Sequence, residues 1–534
     1  MNGRPIAPDS PVPMTYITSD IDRRYPLSSR LLVSILPARP ADLPDAEQFP
    51  EFLARRFSNL AACPFLVDLA RIEQSIGRID ASPRLPVGAA AFLCANPDLE
   101  LLSVSWCGLP EWIRRHKPEP AAGDAKILVW RRPGETRVRF EEAAGKDLLA
   151  LKLAFEGIDP KKAAAEGDVP LGTIEDILHA GIRKGILLAP PSRIERPAHF
   201  FDGAVESSAF RSSPVFTLQW HLTQDCDLHC KHCYDRSSRT AMGLKAAISV
   251  LDGLYDFCKS RNVYGQVTFT GGNPFLYPHF EEVYRQAADR GFLTGILGNP
   301  VPRKRLEAVL DIRKPEFFQV SLEGLREGND DIRGRGHFDR VVSFLAELRS
   351  AGVYAMVMMT LSAANAKDLL PLSEFLKGRV DLFTFNRLAQ VGEGTELAAV
   401  PVADFPDLID SYLDHANENG TAALKDNLFN ILLERRGQPL FGGCAGYGCG
   451  AAFNFVSLLP DGEVHACRKF PSPVGHLLQH SLVEIYESEA ARRYRAGAAA
   501  CRGCRLRPVC GGCMAVSYGA GLDPLQERDP YCFL

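Results

Sequence analysis

Cys226-Asp-Leu-His-Cys230-Lys-His-Cys233-Tyr234 sets three thiols on one short loop in a C-x3-C-x2-C spacing. Three thiolates so close in sequence suit a cubane iron-sulfur cluster with one iron left without a protein ligand, since such clusters are held by cysteine sulfur. That iron is free to bind a substrate. A zinc site would need a fourth ligand, from His229, His232 or a distant cysteine. Both histidines otherwise read as packing residues beside the thiols.

Outward from this loop, strand and helix patterns alternate. Strands are expected over 214–220 (PVFTLQW), 265–270, 292–297, 317–322, 353–360 and 382–388, with helices over 245–258 and 277–290. Alternation of this kind builds a parallel sheet, either a barrel or an open one. The polar signatures all follow strand ends: Cys226 to Cys233 after the first strand, Gly271-Gly272-Asn273 after the second and Ser321-Leu322-Glu323-Gly324 at the fourth. Ligands gather at the carboxyl ends of parallel strands, so one mouth collects them.

With these motifs in place the chain resembles the radical S-adenosylmethionine (SAM) superfamily, whose cluster loop follows the first strand of a partial (β/α)6 barrel. The resemblance implies such a barrel over 214–400. It implies that Gly271, Gly272 and Asn273 approach the methionine amino group, although Asn273 stands where glutamate is commoner and supplies no charge. It also implies that Ser321 and Glu323 approach the ribose and Arg333 the carboxylate. Glu323 is one methylene longer than the usual aspartate. Met358, Thr360 and Asn386 fall where later strands line the pocket or simply the barrel, and no catalytic residue is assigned beyond the cluster ligands.

Eight further cysteines crowd the end of the chain: Cys444, Cys449, Cys467, Cys501, Cys504, Cys510, Cys513 and Cys532. Eight thiols suffice for two four-thiolate sites. The spacing resembles the SPASM extension of radical SAM enzymes that modify ribosomally made peptides and proteins, with x2 rather than x3 before Cys513. By motif position in that family, where the ligand sets interlock, Cys444, Cys449, Cys467 and Cys513 hold one auxiliary cluster. Cys501, Cys504, Cys510 and Cys532 hold the second. The expected cofactors are therefore three [4Fe-4S] clusters and SAM, and a tail over 440–534 whose cluster binding becomes folding energy. Pro460-Asp461-Gly462-Glu463 reads as a hairpin turn that uses the freedom of Gly462.

The first 205 residues are less explicit. Short apolar runs LLVSIL (31–36), AAAFLCA (89–95) and KILVWRR (126–132) are expected as strands of an α+β region. Between about 145 and 190 the apolar positions recur three and four apart, broken by Gly157, Pro160 and Gly167, as in a helix-turn-helix ending in an extended Ile186-Leu187-Leu188. No row of arginine and lysine marks a DNA-reading helix. A winged-helix unit gripping the leader of a peptide substrate is the expected use, and 190–214 reads as a linker. Cys63, Cys94, Cys107 and Cys258 are expected to be small buried residues.

Composition fits this outline. The chain has 534 residues, 46% of them hydrophobic, and a net charge of −4 that offers no field for nucleic acid or anionic lipid. No apolar run is long enough to span a bilayer and no secretory stretch opens the chain, so a cytoplasmic, reducing location is expected, where clustered thiols hold metal. The expected function is hydrogen abstraction from a precursor peptide by a 5′-deoxyadenosyl radical, leading to a thioether or other crosslink, epimerisation or oxidation. Electrons would come from a flavodoxin or ferredoxin. One alternative is a sulfatase-type maturase, weakened because Arg468 follows Cys467 where those enzymes carry aspartate. Another is a zinc-stabilised DNA- or protein-binding regulator.

Overall fold

The computed structural model describes residues 19–36, 40, 42–57, 60–88, 90–201 and 208–534. It divides into two compact units, 1–169 with 173–191, and 170–172 with 192–534.

The first unit pairs strand β1 (Cys94–Ala95) with a later strand and builds an antiparallel sheet from β2 (Leu99–Cys107), β3 (Ala121–Arg131) and β4 (Val138–Glu142). The 126–132 run lies in β3 as expected, but only Cys94 and Ala95 of the 89–95 run pair, with Leu188 and Leu187 of β5 (Leu187–Leu188). The 31–36 run is not a strand. It closes the helix Pro26–Ile35, whose first turn carries Pro26 and whose Leu27 and Ser28 amides donate to the Glu73 carboxylate at 2.7 and 3.0 Å. That cap comes from another helix, Leu66–Ala81, so local sequence could not show it. The helix-turn-helix is present as Gly145–Glu156, Pro160–Glu166 and Leu171–Lys184, running into β5. Cys63 is buried, whereas Cys94 and Cys107, at strand positions, are only half-buried.

In the second unit six parallel strands follow in chain order: β6 (Val215–His221), β7 (Tyr264–Thr270), β8 (Leu293–Leu297), β9 (Phe317–Ser321), β10 (Ala355–Leu361) and β11 (Leu382–Arg387). Each lies within two residues of its expected bounds. Side chains alternate between the two faces of a strand. Phe216, Phe269, Phe318 and Phe385 point outward onto Phe257, Phe280, Phe344 and Tyr412 of the covering helices. The other parity is polar: Gln219, Thr268, Thr270, Gln319, Ser321, Thr360, Thr384 and Asn386. Truncating one of the buried phenylalanines to alanine would cost about 3–5 kcal/mol.

Among the described residues β11 does not pair with β6, so the barrel stays open. Its β11 edge takes Thr421 and Ala423 through backbone bonds to Phe383. Its β6 edge is extended by β12 (Phe455–Leu458), parallel to β6, then antiparallel β13 (Glu463–His465) and β14 (Pro473–His476). The cysteine-rich tail thus joins the barrel sheet directly, which sequence spacing did not reveal. The β12–β13 turn is closed by Gly462 N–H donating to Leu459 O, with Gly462 at φ +102°.

Residues 192–201 and 208–214 are not a loose linker. Arg196 is buried, donates to the carbonyls of Arg495, Tyr447 and Cys449, and stacks on Phe200 and Phe453. Its three bonds to carbonyls 251 to 299 positions away fix the segment. No helix among the described residues is long and apolar enough to cross a membrane.

Candidate functional site

The three-cysteine loop leaves the end of β6 and is held by backbone bonds on three sides. Gly272 N–H donates to Thr223 O and Asn273 N–H to Asp225 O, Lys231 N–H donates to Ile332 O, and Glu393 N–H donates to Cys233 O. The two glycines are required by this approach. A Cβ on Gly271 (φ +139°) would stand 2.3 Å from Thr223 O, and one on Gly272 would stand 2.1 Å from Asp225 O. Whatever else the Gly-Gly pair does, it lets two chain segments close on each other and fixes the thiols.

Hydrogen-bond donors face two of the sulfurs. Asn299 Nδ2 lies 3.7 Å from Cys226 Sγ, and Arg333 Nη1 lies 3.6 Å from Cys230 Sγ. Donors of this kind favour thiolates over thiols. Burial by itself pushes both thiols up, and Arg333 opposes that shift at Cys230.

Arg333 also donates from Nε and Nη2 to Glu323 Oε1 at 2.8 and 2.6 Å. Glu323, fully buried, lies 2.9 Å from His232 Nε2 and accepts the Thr360 amide at 2.6 Å. Burial would raise this carboxyl, but the charges of His232 and Arg333 overcome it and hold the pKa down to about 2. Glu323 is therefore an anion that positions Arg333 and, through His232, holds the cysteine loop itself.

A cavity of about 200 Å³ opens at the strand ends. Cys226, Cys230 and Cys233 line it together with Gly271, Gly272, Ser321 and Arg333, and so do Met358, Thr360 and Asn386. Asn273 and Glu323 do not. The Asn273 amide donates to Asp227 Oδ1 at 3.0 Å and its oxygen accepts the Phe275 amide, so the side chain is spent inside the loop.

The tail thiols gather in two sets. Cys501, Cys504, Cys510 and Cys532 line one space of about 370 Å³. Cys449 has Cys513, Cys444 and Cys467 for neighbours; burial first, and then these thiols, push its pKa up to about 12. The sets are stitched together by Cys449 N–H donating to Cys510 O. Asn427 accepts the Cys444 amide and donates to Gly512 O, while Asp529 accepts the Cys513 amide. Among the described residues no group of three or more His, Cys, Asp or Glu is gathered as a single metal ion requires. Four thiols around a space of this size, as at Cys501, Cys504, Cys510 and Cys532, fit a polynuclear iron-sulfur group.

Residues 220–376 match the model of the radical SAM superfamily, and residues 449–514 match that of the SPASM iron-sulfur cluster-binding domain. The chain carries a radical SAM domain and a SPASM domain. The AdoMet-dependent heme synthase of Methanosarcina barkeri is 28% identical over 343 residues, covering 59% of this chain and 95% of the relative. Mycofactocin maturase MftC of Mycobacterium tuberculosis is 29% identical over 338 residues, covering 59% and 82%. Among solved structures, Streptococcus suis SuiB bound to S-adenosylmethionine is 19% identical with a TM-score of 0.49, covering 77% of this chain and 96% of SuiB.

Several residues of the radical SAM cavity escaped the sequence reading. Asn299 and Gln319 are among them, as are Arg236, Arg387 and Lys469. Asn299 stands two residues past the end of β8, where the strand-end rule could have found it. Arg387 ends β11 and carries the same signal, whereas Lys469 does not, because it comes from the tail.

Proposed function

We propose that this radical SAM enzyme modifies a peptide, and that Cys226, Cys230 and Cys233 hold the cluster at which SAM binds. The observation that carries the reading is the convergence of these three thiols, two of them faced by N–H donors, on one cavity at the barrel mouth. When bound there, SAM supplies a 5′-deoxyadenosyl radical that takes a hydrogen atom from the substrate. The chain's own residues position and shield. Gly271 and Gly272 hold the loop rigid and bring backbone groups to the cavity, Ser321 lines it where the ribose would lie, and Arg333 offers Nη1 beside Cys230 with its other nitrogens fixed by Glu323. Asn273 acts through Asp227 to hold the loop. Barrel walls and the loop together keep water from the reacting carbon.

Cys444, Cys449, Cys467 and Cys513 would hold a second cluster and Cys501, Cys504, Cys510 and Cys532 a third, both fully ligated and suited to passing electrons between the site and a flavodoxin or ferredoxin. Anaerobic reconstitution should then load about twelve irons per chain, four per cubane. A saturated value near four by iron and sulfide analysis would contradict the tail assignment.

A peptide is favoured as substrate by the first unit, whose helix-turn-helix and β5 form a compact body before residue 192. We assign residues 1–205 to substrate recognition, with the winged-helix-like segment at about 145–190 taking an extended leader on a strand edge. Barrel residues 214–400 and tail residues 440–534 carry the chemistry. Removing residues 1–191, which keeps Arg196 on the tail carbonyls, should spare SAM cleavage and lower peptide processing by about tenfold or more, the loss expected when a second binding contact is cut away. Full processing by the truncated chain would contradict the recognition role. The heme synthase relative favours a second reading, a tetrapyrrole substrate. Co-expression with each short reading frame flanking the gene, read by mass spectrometry, decides between them: a mass shift in one product supports the peptide, and shifts in none contradict it.

A further inference from the structure

Arg468 and Lys469 line the radical SAM cavity from the tail side, directly after Cys467. The other cavity arginines have acidic partners: Arg333 pairs with Glu323, Arg387 with Asp426 and Asp529, and Arg236 lies 3.6 Å from Glu393. Arg468 has none among the described residues. Its contacts are neutral, a 3.4 Å bond from Nη1 to Thr270 Oγ1 and the Tyr234 ring, 5.9 Å from the guanidinium. Asp235, the acid of the same cavity, is engaged by Gln224 Nε2 at 2.7 Å and the Ser237 amide at 2.8 Å.

Lys425 adds a third basic residue near Lys469 and Arg468. Like charges gathered without carboxylates need counter-charge from outside the side-chain set. Lys425 stands near Cys444, and Lys469 near Cys467 and Cys513, on the tail side. Arg468 acts on Cys467 less strongly than Lys469 does and reaches instead toward Tyr234 and Thr270. Its fork of donors is thereby left to a ligand in the cavity, and a planar fork matches a carboxylate.

We propose that Arg468 receives a carboxylate of the peptide substrate, so that the cavity selects a segment bearing either an acidic side chain or a free C-terminus. The proposal rests on the peptide reading above and adds the chemical class of the segment to it. Charge-assisted hydrogen bonds to a carboxylate are worth about ten- to a hundredfold in affinity. The SAM carboxylate is the other carboxylate that could reach this cavity, and the test separates it.

The reconstituted enzyme saturated with SAM is offered three mixtures of short synthetic peptides: neutral with amidated ends, the same with free C-termini, and amidated with one Asp or Glu. Retention is read by mass spectrometry, and SAM affinity is measured on the same preparations. At least one carboxylate mixture should be retained about tenfold or more over the neutral one. Arg468→Gln should remove that preference and Arg468→Lys should keep part of it, with SAM affinity changing less than peptide affinity. The mixture that gains shows which carboxylate is read. Equal retention of neutral peptides, an undiminished preference in Arg468→Gln, or a loss of SAM affinity as large as that for peptide would overturn the proposal while leaving the peptide reading standing. Retention of no mixture would overturn the proposal, while the peptide reading is decided separately by the co-expression experiment.

Discussion

Cys230→Ala is expected to lower SAM cleavage by at least about a thousandfold, a loss of some 4 kcal/mol of barrier lowering, while about eight irons remain per chain, the content of two cubanes. The separation follows from geometry. Cys230 lines the barrel cavity beside Arg333 and belongs to neither tail set. Its loss leaves two thiols on the loop and no means of holding the cluster with one iron free for SAM. The loop itself keeps its shape, because its anchors are backbone bonds from Gly272, Asn273, Lys231 and Glu393. 5′-Deoxyadenosine is measured by chromatography and iron by colorimetry on the same sample. Wild-type cleavage by the variant would remove Cys230 from the site.

Arg387→Met is expected to destabilise the second unit by about 3–5 kcal/mol, the cost of breaking a buried ion pair from one side. Arg387 closes β11 with its guanidinium against Asp426 (Nε to Oδ2, 2.7 Å) and Asp529 (Nη2 to Oδ2, 2.7 Å), and all three side chains are nearly inaccessible. Asp529 in turn accepts the amides of Cys513 and Tyr531, so the pair ties the last barrel strand to the end of the cysteine tail. Without the guanidinium two carboxylates stay buried and unpaired. The loss should appear as a lower anaerobic melting temperature and as iron lost from the tail, since metal binding and folding are linked there.

The pH dependence has a definite sign. Burial would raise the Asp529 carboxyl, but Arg387 and two amides hold it below the usual range. In the wild type this contribution is full above a pH of about 4, the ordinary aspartate value, and fades as pH falls through the depressed pKa. In the variant burial prevails and raises the carboxyl, so its defect should shrink on mild acidification. An unchanged melting temperature and iron content would contradict the role given to this pair.

What the sequence disclosed follows from the range of the interactions involved. The six barrel strands were legible because each is a short apolar run bounded by turn residues, and the cluster loop because its three ligands sit within eight positions. The tail cysteines were legible as a group because eight of the chain's 15 cysteines fall within 444–532. Position 31–36 misled because an apolar run fits a helix or a strand equally. The deciding contact, Glu73 on the amides of Leu27 and Ser28, comes from more than forty positions away. Asn273 and Glu323 were read from their motif positions as cavity residues, and the fold turns both inward, onto Asp227 and Arg333. Only the packed structure shows which side chains are already spent. It likewise shows Arg468 without an acidic partner among the described residues, a position the sequence presented only as arginine where sulfatase-type maturases carry aspartate.

The three barrel thiols would hold a cluster with one iron left open to SAM. Electron paramagnetic resonance of the dithionite-reduced enzyme, recorded with and without SAM, tests it most directly. One cluster signal should change shape on adding SAM, and it should be the signal missing from Cys230→Ala. Spectra that superimpose with and without SAM would contradict it.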